Sequence, residues 1–173
     1  MNKLSFLTLI WLFPLAFAIH EMEEWNIMAW YRRNYVDLPD KTDKSTRSFL
    51  VFASLLGFLW TLIAYLPGSP IFAALWMLPL MALTLQNILQ HIWWLFLFKE
   101  YAPGVGSAVF LLLPLIVYLT CQALKKGYAP LWYVLLLALL TLPGLVQTIQ
   151  SRNRLTPMFQ LLHRFGKALS RLV

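Results

Sequence analysis

The sequence predicts an all-α membrane protein: a polytopic bundle of about five transmembrane helices, followed by a C-terminal amphipathic helix. Of its 173 residues, 60% are hydrophobic and only 12% are charged, whereas soluble domains are roughly half apolar and a quarter charged. The apolar residues gather into runs of about 20, the length that crosses the hydrocarbon core as a helix. Because a helix satisfies its own backbone hydrogen bonds in lipid, each run is predicted to be helical.

Short turns rich in Pro and Gly separate the apolar runs, so consecutive helices are expected to be antiparallel neighbours. We expect a single transmembrane domain over residues 1–150. The first run also resembles a signal peptide that ends at "AFA" (16–18), but its continuation into an amphipathic pattern favours a retained helix. The predicted spans are a run from Leu4 past Ala18, Phe49–Leu66, Ile71–Phe98, Val105–Leu124 and Ala129–Gln147.

The C-terminal segment, residues 151–173, has the pattern of a basic amphipathic helix. At about 100° per residue, its polar side chains from Thr156 onward fall within about 120° of a helical wheel. A broad apolar face fills the rest, so this segment is predicted to lie in the inner headgroup region of the bilayer. The polar stripe consists of Gln160, His163, Arg164, Lys167, Ser170 and Arg171.

The distribution of basic residues predicts the orientation of the chain. With five spans, eleven of the 14 Lys and Arg residues fall on one side and only Lys3, Lys125 and Lys126 on the other. Cytoplasmic loops carry the excess of positive charge. We therefore expect the N-terminus outside and the C-terminus in the cytoplasm, in a cytoplasmic (inner) membrane. Attraction to anionic lipid accounts for the net charge of +7, so the expected partner is the bilayer and not nucleic acid.

Ionisable residues interrupt the inner part of the first span, where they are costly and often functional. His20, Glu23 and Glu24 stand at i, i+3 and i+4, so they share one face of a helix. Asn26 flanks this patch. Glu21 points about 100° away from His20, so we expect it to meet water or headgroups.

A second polar group occurs in the third span. Asn87 and His91 are four residues apart and share a face, and Gln86 and Gln90 flank them. Because the first and third spans run in the same direction, His20 and His91 are predicted to lie at the same depth, near the inner edge. The segment "YAPGVGS" (101–107) is predicted to reach that edge as well, where its small residues permit close approach.

The motif "HEMEE" (20–24) resembles the H-x-x-E-E signature of the HXXEE family, small bacterial integral membrane proteins. Asn87 and His91, followed by "YAPGVGSAVFLLLP" (101–114), also resemble that family's pattern. The resemblance covers residues 8–150, so it leaves out the amphipathic tail. It implies that these residues act together, but the family is functionally uncharacterised and implies no reaction.

Three functions fit the polar groups. In the first, His20 and His91 bind zinc or iron with either Glu23 or Glu24 as the third ligand, and the other glutamate acts as a catalytic general base. This arrangement predicts a hydrolase acting on a lipid-like substrate, with an oxidative di-iron enzyme as the second choice. Asn26, Gln86, Asn87 and Gln90 would orient the ligands or the substrate.

The other two functions need no metal. The same groups can relay protons or bind a cation in a transporter-like protein, since two adjacent carboxylates in low dielectric do not ionise together easily. Alternatively, they end a helix at the interface and make structural hydrogen bonds only. The sequence leaves open whether the protein is an enzyme.

Overall fold

The computed structural model describes residues 4–36, 38, 43–154 and 164–170. All regular elements in these ranges are helical. The prediction of an all-α bundle is confirmed, because five helical segments are long and apolar enough to cross a membrane. The helices are α1 (Phe6–Leu9), α2 (Leu12–Glu23), α3 (Ile27–Asn34), α4 (Asp43–Tyr65), α5 (Pro70–Phe98), α6 (Val105–Ser107), α7 (Leu113–Lys125) and α8 (Leu131–Ser151).

The first candidate span runs from Phe6 to Asn34 and is made of three helices in sequence. A 3₁₀ turn at Glu24–Asn26 joins α2 to α3. Residues of a 3₁₀ turn are about 120° apart, not 100°, so side chains on either side of Glu24 diverge from the directions that a continuous α-helix gives them. The HEMEE motif therefore lies where the helix changes its winding.

The bundle contains two hydrophobic cores. The larger core lies between α2, α5 and α7, and fully buried Phe13, Met77 and Leu112 belong to it. The smaller core is aromatic and includes Trp30 of α3 and Trp94 of α5, with ring centroids 5.1 Å apart. The polar residues of the first and third spans lie between these two cores, which fix the positions of α2, α3 and α5.

A short loop connects α5 to α7 and folds back over the bundle. Lys99 ends α5 in the left-handed conformation, with φ of 54°, and Gly104 adopts φ of 95° immediately before α6. A π-helical turn at Ala108–Leu112 then leads into α7. π turns are rare and occur mostly at functional sites, so this entry into the fourth span is an unusual piece of backbone.

The five predicted spans correspond to the five helical segments. The second begins earlier than predicted, at Asp43, the fifth ends later, at Ser151, and the first, whose inner end the sequence left open, continues through the HEMEE motif to Asn34. Of the C-terminal tail, residues 151–154 and 164–170 are described: Ser151 ends α8, residues 152–154 are not helical, and a helix covers 164–169. Phe165 packs against Phe52 of α4 at a centroid distance of 5.1 Å. The rest of the predicted amphipathic helix, residues 155–163 and 171–173, lies outside the described residues.

Candidate metal centre

The two histidines of the first and third spans meet at the centre of the bundle. His20 lies on α2 and His91 on α5, and the side chains of both are fully buried. Their ring centroids are 5.0 Å apart, with the ring planes at 85°. His20 and His91, which the sequence predicted to lie at the same depth, are therefore also in direct contact.

Glu24 joins the two imidazoles. Its Oε1 lies 2.7 Å from His91 Nε2 and 3.2 Å from His20 Nε2, and the residue is only 9% exposed. One ligand atom from each of the three residues lies within 4.8 Å of the other two. Among the described residues, neither Glu24 Oε1 nor either ring nitrogen of His91 makes a directed hydrogen bond. We call His20, Glu24 and His91 the ligand cluster.

Backbone and side-chain oxygens orient the ring of His20. Its Nδ1 lies 3.1 Å from the carbonyl oxygen of Gly104 and 3.1 Å from Ser107 Oγ. A carbonyl only accepts hydrogen bonds, so neutral His20 carries its proton on Nδ1 and presents the lone pair of Nε2 to Glu24. The side-chain amide of Asn87 is 3.0 Å from the same Nε2 and can present either its oxygen or its NH₂ group by rotation.

Gly104 brings the backbone against all three members of the ligand cluster. A Cβ atom at this position would lie 2.8 Å from His91 Cε1, 2.9 Å from Glu24 Oε1 and 2.9 Å from His20 Cε1. Two features therefore require glycine at this position: the φ of 95° and the lack of space for a side chain. The loop before the fourth span closes over the cluster as a tight cap.

Glu23 does not join the ligand cluster, although the sequence placed it on the same face as His20 and Glu24. Its carboxylate accepts hydrogen bonds from the backbone N–H groups of Gly106 and Ser107 and from Ser107 Oγ. The hydroxyl of Tyr101 also donates to it. Partial burial and this bond to a carboxylate raise the pKa of Tyr101. Glu23 therefore ties α2 to the loop that caps the cluster.

Two other polar residues of the motif region lie where the sequence did not place them. The side-chain oxygen of Asn26 accepts a hydrogen bond of 2.7 Å from Arg47 of α4 and is not part of the cluster. Glu21 is only 8% exposed, so the expectation that it meets water or headgroups is wrong. It is turned into the protein, beside Glu24 and His91, where a cavity is present.

That cavity has a volume of about 510 Å³ and opens beside the ligand cluster. Glu24 and His91 line one end, and the amides that the sequence singled out on α5 line the wall: Gln86, Asn87 and Gln90. Residues of α4 and α8 add to the lining, among them Phe49 and Leu140. The volume falls within the usual range for small-molecule sites.

The ligand cluster has the chemistry of a divalent metal site. Two imidazole nitrogens and one carboxylate oxygen suit zinc or iron. Ligand atoms about 2.0–2.2 Å from a tetrahedral zinc ion are roughly 3.3–3.6 Å from each other. Glu24 Oε1 lies 3.2 Å from His20 Nε2 and 2.7 Å from His91 Nε2, so only the second distance would have to lengthen to admit an ion. Glu24 Oε1 and His91 Nε2 lie 2.7 Å apart without a well-aligned hydrogen bond, and an ion between the ligands would coordinate both atoms. Three protein ligands would leave one coordination position of a tetrahedral ion unfilled, as in catalytic zinc sites.

Comparison with known proteins supports the grouping of these residues. Residues 11–119 match the family model described as a protein of unknown function with an HXXEE motif. No curated protein and no solved structure matches the chain. The matched region is more than half of the chain and contains the whole ligand cluster, together with the Gly104 cap. The chain belongs to the HXXEE family.

Proposed function

We propose that this protein is a metal-dependent membrane enzyme whose ion is held by His20, Glu24 and His91. One observation supports the proposal above all. Three buried groups of metal-binding type converge from two helices, and a cavity of about 510 Å³ adjoins them. Buried ionisable groups are costly unless they are paired or bind a metal, so a cluster of this kind needs a function that repays its cost.

The proposed reaction is hydrolysis of a lipid-like substrate. When bound, a divalent ion supplies Lewis-acid polarisation of a carbonyl and activation of water. The cavity is lined both by amides and by apolar side chains such as Leu83 and Leu140, which fits an amphiphile with a polar group near the cluster.

The residues around the cluster have separate roles in this proposal. Asn87, Ser107 and the carbonyl of Gly104 fix the ring of His20, so that its Nε2 faces the ion. Glu24 serves as the carboxylate ligand. The hydrogen bonds to Glu23 hold it outside the cavity, so its proposed role is to position the capping loop.

Metal content measured by elemental mass spectrometry on detergent-purified protein tests the proposal. We expect about one zinc or iron ion per chain in the unchanged protein and a loss of at least tenfold in His91→Ala and Glu24→Gln. Glu23→Gln is the matched control, because Glu23 has the same chemistry and lies one position away in the motif. It is expected to retain the ion.

Two results would overturn the proposal. The first is the absence of metal after purification without chelators, together with no uptake of added zinc or iron. The second is equal metal content in all variants. Either result would favour the metal-free functions, in which the same groups relay protons or serve structure alone.

A further inference from the structure

A second cavity, with a volume of about 320 Å³, lies between α5, α7 and α8, and no residue of the ligand cluster lines it. Because α8 packs mainly against α5, a groove is left between α8 and α7. Buried Leu78 and Met81 of α5 lie at its base. Val117 and Leu142 also line it and are 52% and 49% exposed, so in a bilayer the groove opens to the lipid.

The lining of this second cavity is mostly hydrocarbon. No charged side chain in the described part of the protein contributes to it. Of the described residues, those that bring an amide, a hydroxyl or a thiol are Gln86, Thr120, Thr141 and Cys121. The hydroxyl of Thr141 already donates a hydrogen bond to the carbonyl of Ala138 in its own helix. A polar headgroup would therefore find few partners here and would be costly to bury, whereas a hydrocarbon chain needs no partner.

Gln86 connects the second cavity to the cavity beside the ligand cluster, because its side chain lines both. The end of this side chain lies against Gly144 of α8, where the absence of a Cβ leaves room for it. A flexible side chain thus separates a polar space from an apolar one. The two spaces together provide surroundings for the two ends of a single amphiphile.

The positions of the two cavities along α5 match the dimensions of a membrane lipid. Gln86 lies five residues before His91, and Leu78 lies thirteen residues before it. At 1.5 Å per residue these offsets are about 8 and 20 Å along the helix. The hydrocarbon of one leaflet is about 15 Å deep, half of the full core. A lipid chain that starts beside His91 therefore reaches past Gln86 and well into the groove.

We propose that the second cavity binds the hydrocarbon chain of the substrate whose polar group lies beside the ligand cluster. One amphiphile then occupies both cavities and passes Gln86 where they meet. The inference deepens the proposed function and rests on it for the place of the polar group. Lipid tails are as apolar as the groove, so a chain gains little by leaving the bilayer. The groove therefore sets where the chain lies, and binding requires the polar group as well.

Cys121 reports whether the end of the groove far from the ligand cluster is occupied. It is the single cysteine of the chain, it is exposed, and it lines the second cavity. It follows Val105, where the fourth span begins beside the cap, by 16 residues, or about 24 Å of helix. A long chain that starts at the cluster can cover this thiol, and a short one cannot.

The rate at which N-ethylmaleimide labels Cys121 in the detergent-purified protein, followed by mass spectrometry, tests the proposal with three additives at one molar ratio. We expect monooleoylglycerol to slow labelling at least fivefold. Monobutyrylglycerol has the same headgroup on a chain too short to reach the thiol, and 1-octadecene has a long chain without a headgroup. Each of these two should slow labelling less than twofold.

Ala53→Cys in a Cys121→Ala background is the matched control. Ala53 is partly exposed on α4 and lines neither cavity, so none of the additives should slow its labelling more than twofold. Equal slowing at this position and at Cys121 would overturn the inference, because it would come from the detergent phase.

The unchanged protein alone also decides the matter. The inference is overturned if monooleoylglycerol does not protect Cys121, or if monobutyrylglycerol protects it equally well. Equal protection by 1-octadecene also overturns it, since the groove would then be an ordinary surface filled by any lipid chain. Metal content measured on the same samples separates this inference from the proposed function, because protection can be absent while the metal is present, and the reverse.

Discussion

Gly104 contributes no side chain to the ligand cluster, yet its backbone lies against all three ligands. Its carbonyl oxygen accepts a hydrogen bond from His20 Nδ1. A Cβ attached to its Cα would be in contact with His91, Glu24 and His20 together. The sequence indicated only that small residues reach the inner edge of the bundle. The structure adds that one of them caps the three ligands.

Gly104→Ala is expected to abolish metal binding and to lower thermal stability. The added Cβ would lie under 3.0 Å from atoms of three side chains, and the left-handed backbone would cost about 1–3 kcal/mol in strain. Elemental analysis and the unfolding temperature measure the two effects separately.

Gly127→Ala is the control for strain in this experiment. Gly127 also has a positive φ, 68°, but nothing lies within 4 Å of the position of its Cβ. It should lower stability by about 1–2 kcal/mol and leave the metal content unchanged. Retention of metal by Gly104→Ala would contradict the role of this glycine as a cap.

The side chains of the motif could be predicted from the sequence only in part. Spacing at i and i+4 correctly brought His20 and Glu24 together, since α2 is regular up to Glu23. The same helical geometry predicted that Glu23 lies beside these two residues and that Glu21 points away from them toward water or headgroups. The hydrogen-bond donors of a loop more than 80 residues away draw the Glu23 side chain aside, and no local pattern contains that information.

Among the helices, the contact of α5 with α8 decides the shape of the cavity. Gln86 of α5 lies against Gly144 of α8, where a Cβ would be 2.1 Å from Gln86 Nε2. Gln86 lines the polar cavity and also a second, mostly apolar cavity of about 320 Å³. Its amide therefore stands between the two spaces.

Gly144→Ala is expected to displace the Gln86 side chain and to weaken binding of monooleoylglycerol, while the metal content stays unchanged. The atoms that the methyl group would meet are the end of the flexible Gln86 side chain, which can move away, so the unfolding temperature is expected to change little.

Gly57→Ala provides the matched helical control. A Cβ there would meet Phe17 Cδ1 at 3.4 Å, an ordinary contact, and alanine favours the helix by about 1 kcal/mol. It should be neutral or stabilising. Equal effects of the two substitutions on lipid binding would show that the contact between Gln86 and Gly144 does not shape the cavity.

The helices themselves were largely predictable, because apolar runs of 18 residues or more determine spans almost without regard to context. Pro70 is the first residue of α5 and Ser69 is its N-cap, as the turn "LPGSP" indicated. The break at Glu24 and the π turn at Ala108–Leu112 were not predictable, since neither turn contains a Gly or Pro that would indicate an interruption of the helix. These two irregular places are also the two that adjoin the ligand cluster.

For the whole molecule, the orientation in the membrane stays a prediction. The excess of basic residues on one side predicts that the loop between α7 and α8 is outside and that the start of α4 is inside. The ligand cluster would then lie toward the cytoplasmic side, where the first and third spans end.

Cysteine labelling tests this orientation in a Cys121→Ala background, which removes the single native cysteine. Lys126→Cys is expected to react with a membrane-impermeant maleimide in intact spheroplasts, and Lys44→Cys only after permeabilisation. Both positions are exposed in the structure, so accessibility within the protein does not limit either reaction. The reverse pattern would contradict the predicted orientation.

The capping loop has a consequence for how the protein is made. Every proposed ligand, and every group that orients one, occurs at or before Ser107, whereas α8 begins at Leu131. The ribosome has therefore completed the metal-binding part of the sequence before it translates the far wall of the cavity. The region that matches the family model ends at residue 119, also before α8. Substitutions in the last helix can therefore change the wall of the cavity without changing any proposed ligand.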